Sequence, residues 1–341
     1  MASVAVAPPA CAGAQADRVK FSVATLGCKV NRFESESIAQ QLRARGHQRA
    51  DLAKQRAEVC VINTCTVTAE ADRQSRQLVR RAIRDNPGAR VVVTGCYAEM
   101  NPQACAAIPG VDMVVGNARK LDIPALLDAP TDAPFVKSVN SVAEATAHAD
   151  ESAQSLLSGF DGRARAFLQI QQGCDQGCTF CIIHRARGPN RSVPARRILR
   201  QAEQLVRAGH RELVVCGVDI GSYGDDLAPD ENLPALLARL TDIKGDFRVR
   251  LSSIDPAHLS DALIESLAHE PSLCPQLHLS LQSASTMILK RMKRRATREM
   301  VYERVAALRR ALPELVLSAD ILVGFPTETE AQFDETLRAL D

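Results

Sequence analysis

Three cysteines lie within eight residues in the stretch GCDQGCTFC, and we call Cys174, Cys178 and Cys181 the loop set. Three thiols are one more than a disulfide uses and one fewer than the four protein ligands of a structural zinc site. His184 follows closely and would supply a fourth ligand, so a local zinc site is one interpretation. The other is a metal centre that keeps one position open for a substrate.

A second group of three cysteines is spread along the first third of the chain, in LGCKVN, INTCTVT and VTGCYAE. Each follows an apolar run that is typical of a buried parallel strand. Parallel sheets carry functional groups beyond the carboxyl ends of their strands. We therefore expect Cys28, Cys65 and Cys96, the strand-end set, to meet at one edge of a sheet. Cys60 lies inside the run EVCVINT and is interpreted as a buried packing thiol.

Three thiolates suit a [4Fe–4S] cluster whose fourth iron has no protein ligand. Such an iron binds a substrate directly, which a closed structural site does not allow. The chain has eleven cysteines, no apolar run of about 18 residues that would span a membrane, and no pattern of a signal peptide. These features predict a reducing, cytoplasmic setting in which disulfides are rare. Residues 1–18 are predicted to form a disordered tail.

Strands alternate with helices in two parts of the chain. Residues 19–127 contain apolar runs separated by helical patterns, which predicts an α/β domain with a parallel βαβ sheet. Residues 128–160 are rich in Ala, Ser, Asp and Pro and predict a linker. Residues 161–341 contain five further strand–helix units, fewer than a closed barrel has. We therefore expect an incomplete (βα) barrel that stops inside a helical pattern, FDETLRALD.

Polar residues follow several strands of the second half, where a barrel carries its active loops. They include Asp219, Ser253 and Gln282. Three basic runs, DRQSRQLVRRAIRDN, HRARGPNRSVPARRILR and LKRMKRRATR, stand out in a chain whose net charge is only +2. They indicate either a surface that contacts phosphates or ordinary solvated helix faces.

These motifs together resemble the radical S-adenosylmethionine (SAM) methylthiotransferases. GCKVNRFESE, NTCTVTAEADRQSR and GCYAEMNP resemble the amino-terminal domain of that family, and GCDQGCTFCIIHRARG, GVDIGSYG, RLSSIDP, LHLSLQSAS, LKRMKRR and DILVGFPTETE resemble its radical domain. The resemblance covers about residues 19 to 341. GCKVN and NTCTVT are most similar to the branch that acts on N6-threonylcarbamoyladenosine in tRNA. The isopentenyladenosine branch usually carries GCQMN, and the ribosomal-protein branch GCPKN.

The resemblance implies two [4Fe–4S] clusters and SAM as cofactors. The loop set would hold the cluster that binds SAM and cleaves it to a 5′-deoxyadenosyl radical. The strand-end set would hold an auxiliary cluster that carries or donates sulfur. Asp219, Ser253 and Gln282 are then candidates for holding SAM, with capping of βα loops as their alternative role.

The implied reaction adds a methylthio group to C2 of N6-threonylcarbamoyladenosine at position 37 of tRNA. The tRNA anticodon loop and an electron donor of the flavodoxin or ferredoxin type are the implied partners, and no membrane is involved. Methylthiotransferases acting on isopentenyladenosine tRNA or on a ribosomal protein would share every cysteine. A zinc-binding RNA module without catalysis is an alternative of another class. Family members usually continue into the rest of the barrel and a small RNA-binding β-domain (TRAM), which we expect this chain to lack.

Overall fold

The computed structural model describes residues 18–51, 54–128, 135–137, 156–160 and 162–340. The predicted tail before Arg18 and most of the predicted linker 128–160 lie outside these residues. Within them, the order of strands and helices confirms an amino-terminal parallel-sheet half followed by a partial barrel. No described helix is long and apolar enough to cross a membrane.

The first half is built on a parallel sheet with the strand order β2-β1-β3-β4-β5-β6. In chain order, β1 to β6 are Lys20–Thr25, Gln48–Arg49, Val59–Thr64, Arg90–Gly95, Met113–Val115 and Phe135–Lys137. Successive residues of β3 face opposite sides of the sheet. Cys60 and Ile62 therefore pack into one apolar cluster, and Val59 and Val61 into another. Apolar residues on both faces explain why this strand is a continuous apolar run.

Helices of the first half follow its strands. In chain order, α1 to α5 are Lys29–Ala44, Ala69–Asp85, Cys96–Met100, Pro102–Ala106 and Ile123–Leu127. The backbone N–H of Ala71 donates to the Thr68 hydroxyl at 3.0 Å, which fixes the start of α2. The pattern ESESIAQQLRARG predicts a helix from residue 34, but α1 begins earlier, at Lys29, and its added first turn includes the buried Asn31.

The second half is an arc of parallel strands, divided between the sheets β11-β10-β7 and β12-β13-β14. In chain order, β7 to β14 are Arg165–Gln169, Gln171–Gln172, Arg191–Ser192, Glu212–Cys216, Arg248–Leu251, Ser253–Ile254, Gln276–Gln282 and Val316–Ile321. The short strands β8 and β9 form an antiparallel pair. Ser252 separates β11 from β12, so one extended segment contributes to both sheets.

The helices of the second half alternate with these strands, as expected for strand–helix units. In chain order, α6 to α12 are Ile183–Arg187, Ala195–Arg207, Leu233–Thr241, Asp261–His269, Thr286–Arg291, Arg298–Ala311 and Glu330–Arg338. One apolar core includes residues from the strands and from most of these helices. Val316 in β14 is 61% exposed, in contrast to the fully buried β10.

Two parts of the predicted linker are described. Phe135–Lys137 pairs in parallel with β5 and so extends the first sheet. Residues 156–160 pack on the barrel, where Gln201 hydrogen-bonds both the backbone nitrogen and the backbone oxygen of Leu157, at 2.7 and 2.9 Å. Gln40 of α1 is hydrogen-bonded to the same segment. Residues 156–160 therefore contact both halves.

Candidate functional site

The strand-end set lies at the carboxyl edge of the first sheet, where β1, β3 and β4 are neighbours. Cys28 immediately precedes α1 and is exposed. Cys65 directly follows β3, and Cys96 is the first residue of α3 after β4. Both of these thiols are buried. Three separate turns therefore bring the set to one edge of the sheet, which is open to solvent at Cys28.

Two glycines allow these turns to approach one another. Gly27 has a φ of +94°, and a Cβ there would lie 2.9 Å from the Cβ and 3.0 Å from the Sγ of Cys65. Gly95 has a φ of +96°, and a Cβ there would lie 2.4 Å from the backbone oxygen of Thr64. Glycine is the residue that tolerates both this φ and such close approach. Both turns therefore pack against the end of β3.

Two buried asparagines fix the same turns. The side-chain amide of Asn31 donates to the backbone oxygens of Leu26 at 2.7 Å and Thr64 at 3.0 Å. The amide of Asn63 donates to the backbone oxygen of Asn31 at 2.9 Å and to Oγ of Ser35 at 3.0 Å. Because buried polar groups need hydrogen-bond partners, these amides leave the turns little freedom to move apart.

The thiols of the strand-end set are close enough to influence one another. Burial raises the pKa of Cys65, and the neighbouring Cys96 and Cys28 raise it further. A cationic metal partner stabilises thiolates, so it would offset the cost of ionising the Cys65 thiol. The donor set therefore fits the iron–sulfur cluster that the resemblance implies.

A buried ionic network reaches this set from the second half. Arg187 of α6 pairs with Glu34 of α1 at 2.5 Å, and Lys120 pairs with Glu34 at 2.6 Å. All three side chains are at most 3% exposed. Burial alone would raise the pKa of Glu34, but the charges of Arg187 and Lys120 outweigh it and lower that pKa. Nε of Arg187 also donates to Sγ of Cys96 at 3.3 Å.

The loop set lies between β8 and α6, after the first barrel strand. Gly173, with a φ of +74°, precedes it, and a Cβ there would lie 1.7 Å from the backbone oxygen of Pro189. The backbone N–H of Cys174 donates to the oxygen of Gly188 at 3.0 Å. The loop therefore folds back onto the segment that follows α6, and glycine is needed where the two backbones meet.

The thiols of the loop set also lie within electrostatic reach of one another. Burial raises the pKa of Cys174 to about 11, and Asp219 and the other two thiols contribute to the rise. Across the described residues, no three His, Cys, Asp or Glu side chains converge as a single metal ion requires. A four-iron cluster binds each thiolate at a different iron and does not need that convergence. The zinc interpretation with His184 gains no support from this arrangement.

Of the residues predicted at strand ends, Asp219 lies beside the loop set. Its Oδ2 accepts a hydrogen bond from Nε2 of Gln176 at 3.1 Å and lies 4.0 Å from Sγ of Cys174. Ser253 begins β12, and Gln282 ends β13 with a φ of +73°. In the described part of the chain, no hydrogen bond joins the side chain of Ser253 or Gln282 to the loop set.

Sequence reasoning missed three residues near the loop set. The amide of Gln176 bridges two carboxylates, because it donates to Asp219 and, at 2.9 Å, to Asp255. Arg294 pairs with Asp255 at 3.1 Å, and its Nη1 lies 3.9 Å from Sγ of Cys178. The place of Asp255 just after β12 was an available signal. The sequence gives no such signal for Gln176 or Arg294, because an amide in a loop and an arginine in a basic run are ordinary surface features.

The basic runs are only partly a surface. Arg187 and Arg294, which belong to the second and third runs, have side chains that are 2% and 7% exposed, and both are paired with carboxylates. In α2, Arg73 pairs with a carboxylate of the same helix, and the guanidinium of Arg76 lies 5.6 Å from the ring centre of Tyr97. The interpretation of these runs as uniformly facing phosphates or solvent is therefore wrong at Arg187 and Arg294.

Known families match both halves of the chain. The Radical SAM superfamily matches residues 168–340, and the family described as Uncharacterized protein family UPF0004 matches residues 20–116. The chain is 43% identical over 314 residues to threonylcarbamoyladenosine tRNA methylthiotransferase MtaB of Bacillus subtilis, which covers 92% of this chain and 68% of that protein. Identity to the protein of the same name from Rickettsia prowazekii is 39% over 325 residues, which cover 95% of this chain and 73% of that protein. Identity to a tRNA-2-methylthio-N(6)-dimethylallyladenosine synthase of Clostridium botulinum is 32% over 324 residues, covering 93% and 71%.

Solved structures share the fold. TsrM from Kitasatospora setae, a radical SAM methyltransferase with cobalamin and a [4Fe-4S] cluster bound, superposes with a TM-score of 0.64 at 15% identity, covering 95% of this chain and 73% of that one. The cobalamin-dependent radical enzyme OxsB gives a TM-score of 0.60 at 13% identity, covering 94% and 52%. At these identities the likeness concerns the fold alone. The sequence identities go further, and the chain belongs to the radical SAM methylthiotransferase family.

Proposed function

We propose that this chain adds a methylthio group to C2 of the adenine in N6-threonylcarbamoyladenosine at position 37 of tRNA. The observation that carries the proposal is the presence of two three-thiol sets, one in each half, with the halves joined by the buried pair of Arg187 and Glu34. One set would suffice to generate a radical from SAM. A second set is what a reaction that also inserts sulfur requires.

Each set would hold one [4Fe–4S] cluster through three thiolates: the loop set the cluster that binds SAM, and the strand-end set the auxiliary cluster. When bound, these cofactors supply the 5′-deoxyadenosyl radical, the sulfur and the methyl group. The protein positions them. Such cofactors are needed because the adenine C2–H bond has no acidic proton and no leaving group, so acid–base side chains cannot open it.

The polar residues around the loop set orient the cysteine loop and the cofactor. Gln176, within the loop, is held against the barrel because its amide bridges Asp219 and Asp255. Arg294 balances the charge of Asp255. We assign Asp219, together with Ser253 at the start of β12 and Gln282 at the end of β13, to SAM binding, where carboxylate, hydroxyl and amide groups offer hydrogen bonds to its polar groups.

We choose between substrates by comparing the sequence identities of this chain to relatives that are named for different substrates. The relatives named for threonylcarbamoyladenosine are between 34% and 43% identical to this chain, whereas those named for dimethylallyladenosine are 32% identical. The isopentenyladenosine branch and the ribosomal-protein branch are therefore the alternatives within the family. The zinc-binding RNA module is the alternative outside it.

The partners follow from the reaction. The anticodon loop of tRNA is the substrate, and a flavodoxin or ferredoxin supplies the electrons that SAM cleavage consumes. Because tRNA is modified in the cytoplasm, we assign the chain to that compartment.

The decisive experiment is anaerobic reconstitution followed by an assay on tRNA. We expect about eight irons per chain, matching sulfide and a broad brown absorption, because two clusters of four irons are bound. With SAM, a reductant and tRNA that carries N6-threonylcarbamoyladenosine, we expect the methylthio derivative in a nucleoside mass spectrum. Matched tRNA carrying isopentenyladenosine and isolated ribosomal proteins serve as controls. One stoichiometric zinc without sulfide would contradict the proposal, and reaction with a control substrate alone would reassign the branch.

A further inference from the structure

Arg187 belongs to the second half of the molecule, but its side chain contacts the strand-end set, which belongs to the first half. It lies in α6, six residues after Cys181 of the loop set. Its side chain is nevertheless 2% exposed and extends into the first half, where it contacts Cys96 of the strand-end set. Arg187 therefore connects the helix that follows the loop set to a thiol of the strand-end set. Asn117 lies at the same place, with its Nδ2 donating to the backbone oxygen of Ala186 at 2.6 Å and lying 3.9 Å from Sγ of Cys96.

The hydrogen bonds of Arg187 can be counted completely. A guanidinium has five N–H donors and no acceptor. Nη1 donates to Oε1 of Glu34 at 2.5 Å and to Oε1 of Gln172 at 3.2 Å. Nη2 donates to Oδ1 of Asn31 and, at 3.1 Å, to Oε2 of Glu34. The fifth donor, Nε, has the sulfur of Cys96 as its acceptor at 3.3 Å.

The donor that contacts this sulfur belongs to a buried, ion-paired group of charges. Arg187 and Lys120 are two buried cations that share one ion-paired carboxylate, Glu34. The other carboxyl group of this region, Glu99, accepts a hydrogen bond from the backbone N–H of Asn117 at 2.6 Å. Buried charges are costly unless they are paired. Through Nε, Arg187 directs a positively charged donor at the sulfur of Cys96.

Joining the two halves does not require this sulfur contact. The four donors on Nη1 and Nη2 already bind Glu34, Asn31 and Gln172. The bond from Nε is additional, and it is directed at a ligand of the strand-end set. Hydrogen bonds to the sulfurs of an iron–sulfur cluster are among the factors that set its reduction potential.

We propose that Arg187 is a positioning residue of the strand-end set, which orients the sulfur of Cys96 through Nε and makes the cluster held there easier to reduce. The inference rests on the proposed function, because it takes Cys96 as a cluster ligand. It implies that the strand-end set is complete only when the half that generates the radical is in contact with it.

The test uses the full chain with Cys174, Cys178 and Cys181 replaced by Ala, so that one cluster remains. This parent protein is labelled with heavy nitrogen at arginine Nε, reduced, and measured by electron–nuclear double resonance. We expect a coupling to an arginine nitrogen. Arg187→Lys keeps the positive charge but removes the Nε donor, so the coupling should disappear and the midpoint potential should become more negative. Arg185→Lys changes an exposed arginine of the same helix and should alter neither quantity.

Three outcomes would overturn the inference. The first is a reduced parent cluster with no coupling to an arginine nitrogen, and this result needs no variant of Arg187 to fold. The second is an assembled Arg187→Lys protein whose potential equals that of the parent and of Arg185→Lys. The third is a parent without iron, which would overturn the proposed auxiliary cluster as well and is recognised by iron and sulfide counting.

Discussion

The two thiol sets are assembled in opposite ways. The loop set comes from one segment of eight residues, and its geometry depends on a local turn at Gly173. The strand-end set comes from three turns, at residues 28, 65 and 96, that are more than 30 residues apart in the chain. Its geometry depends on the order of β1, β3 and β4 in the sheet. A closed loop is enough for the first set, whereas the second needs a folded domain.

The arginines beside the two sets also differ in whether they come from the same half of the molecule as the thiols they contact. Arg294, near Cys178 of the loop set, belongs to the same half and is balanced by Asp255. Arg187, at Cys96 of the strand-end set, comes from the other half. Loosening the contact between the halves should therefore damage the strand-end set and spare the loop set.

The largest effect is expected from removing each set completely. Replacing the loop set by Ala should abolish cleavage of SAM, because no thiolates remain to hold the cluster that binds it. Replacing the strand-end set by Ala should preserve cleavage, measured as 5′-deoxyadenosine, but stop sulfur from appearing on tRNA. Each triple variant should keep about four irons.

The two triple variants are each other's controls, because they remove the same number of thiols from different halves. Methylthiolated adenosine from the variant that lacks Cys28, Cys65 and Cys96 would show that sulfur comes from another source. Loss of all iron from either variant would show that the two sets do not assemble independently.

A smaller but still large effect is expected from Glu34→Gln. The substitution leaves Arg187 and Lys120 buried without a charged partner, and breaking a buried pair in this way costs roughly 3–5 kcal/mol. We expect this loss in the free energy of unfolding of the cluster-free protein at neutral pH, measured with urea. In the reconstituted protein, iron should be lost from the strand-end set first. Glu70→Gln removes an exposed pair with Arg73 and should leave the stability unchanged.

The same carboxylate predicts a dependence on pH. The pKa of Glu34 is lowered in the folded protein, so between the folded and unfolded values the unfolded chain binds more protons. The stabilisation that ionised Glu34 provides is complete when the pH is above the pKa of Glu34 in the unfolded chain. It is lost as the pH falls through the lower pKa of Glu34 in the folded protein. Urea midpoints should therefore fall on acidification, and the contribution of Glu34 should be absent from Glu34→Gln. Identical pH profiles for the two proteins would contradict the assignment of this charge.

At the loop set, Asp219→Asn should weaken SAM binding without removing iron. The substitution removes a charge that accepts the hydrogen bond of Gln176 beside the loop set. We expect affinity for SAM to fall about tenfold, which corresponds to about 1.4 kcal/mol, while cluster content stays the same. Asp225→Asn, at an exposed position a few residues further along, is the control. Unchanged affinity would leave Asp219 as a structural cap.

The loop set and the sheet edge could be predicted from the sequence because their signals are local. Spacing within GCDQGCTFC indicates one site, and a cysteine after each of three apolar strands indicates another. The partial barrel follows from the alternation of strands and helices. Phe135–Lys137 could not be assigned in this way, because a strand of three residues is too short to show a period.

The buried network could not be predicted, for a physical reason. Arg187 and Glu34 are 153 residues apart in the chain. A polar helix face that meets a buried partner has the same sequence pattern as a face that meets water. Only the packing of α1 against β7 and of α3 against α6 distinguishes the two cases, and no spacing within any of these segments contains that information.

The smallest effect is expected from Cys60→Ala, and it is the sharpest test of which thiols belong to the strand-end set. Cys60 lies in β3, is 1% exposed and accepts a hydrogen bond from Oγ of Ser22 at 3.3 Å. Burial raises its pKa, so it remains a neutral packing thiol. Its removal should cost about 1 kcal/mol of stability and no iron, whereas Cys65→Ala, five residues along the same strand and turn, should lose the auxiliary cluster. Iron and sulfide counts on the two single variants decide between them, and loss of iron from Cys60→Ala alone would mean that the ligand lies within the strand and not at its end.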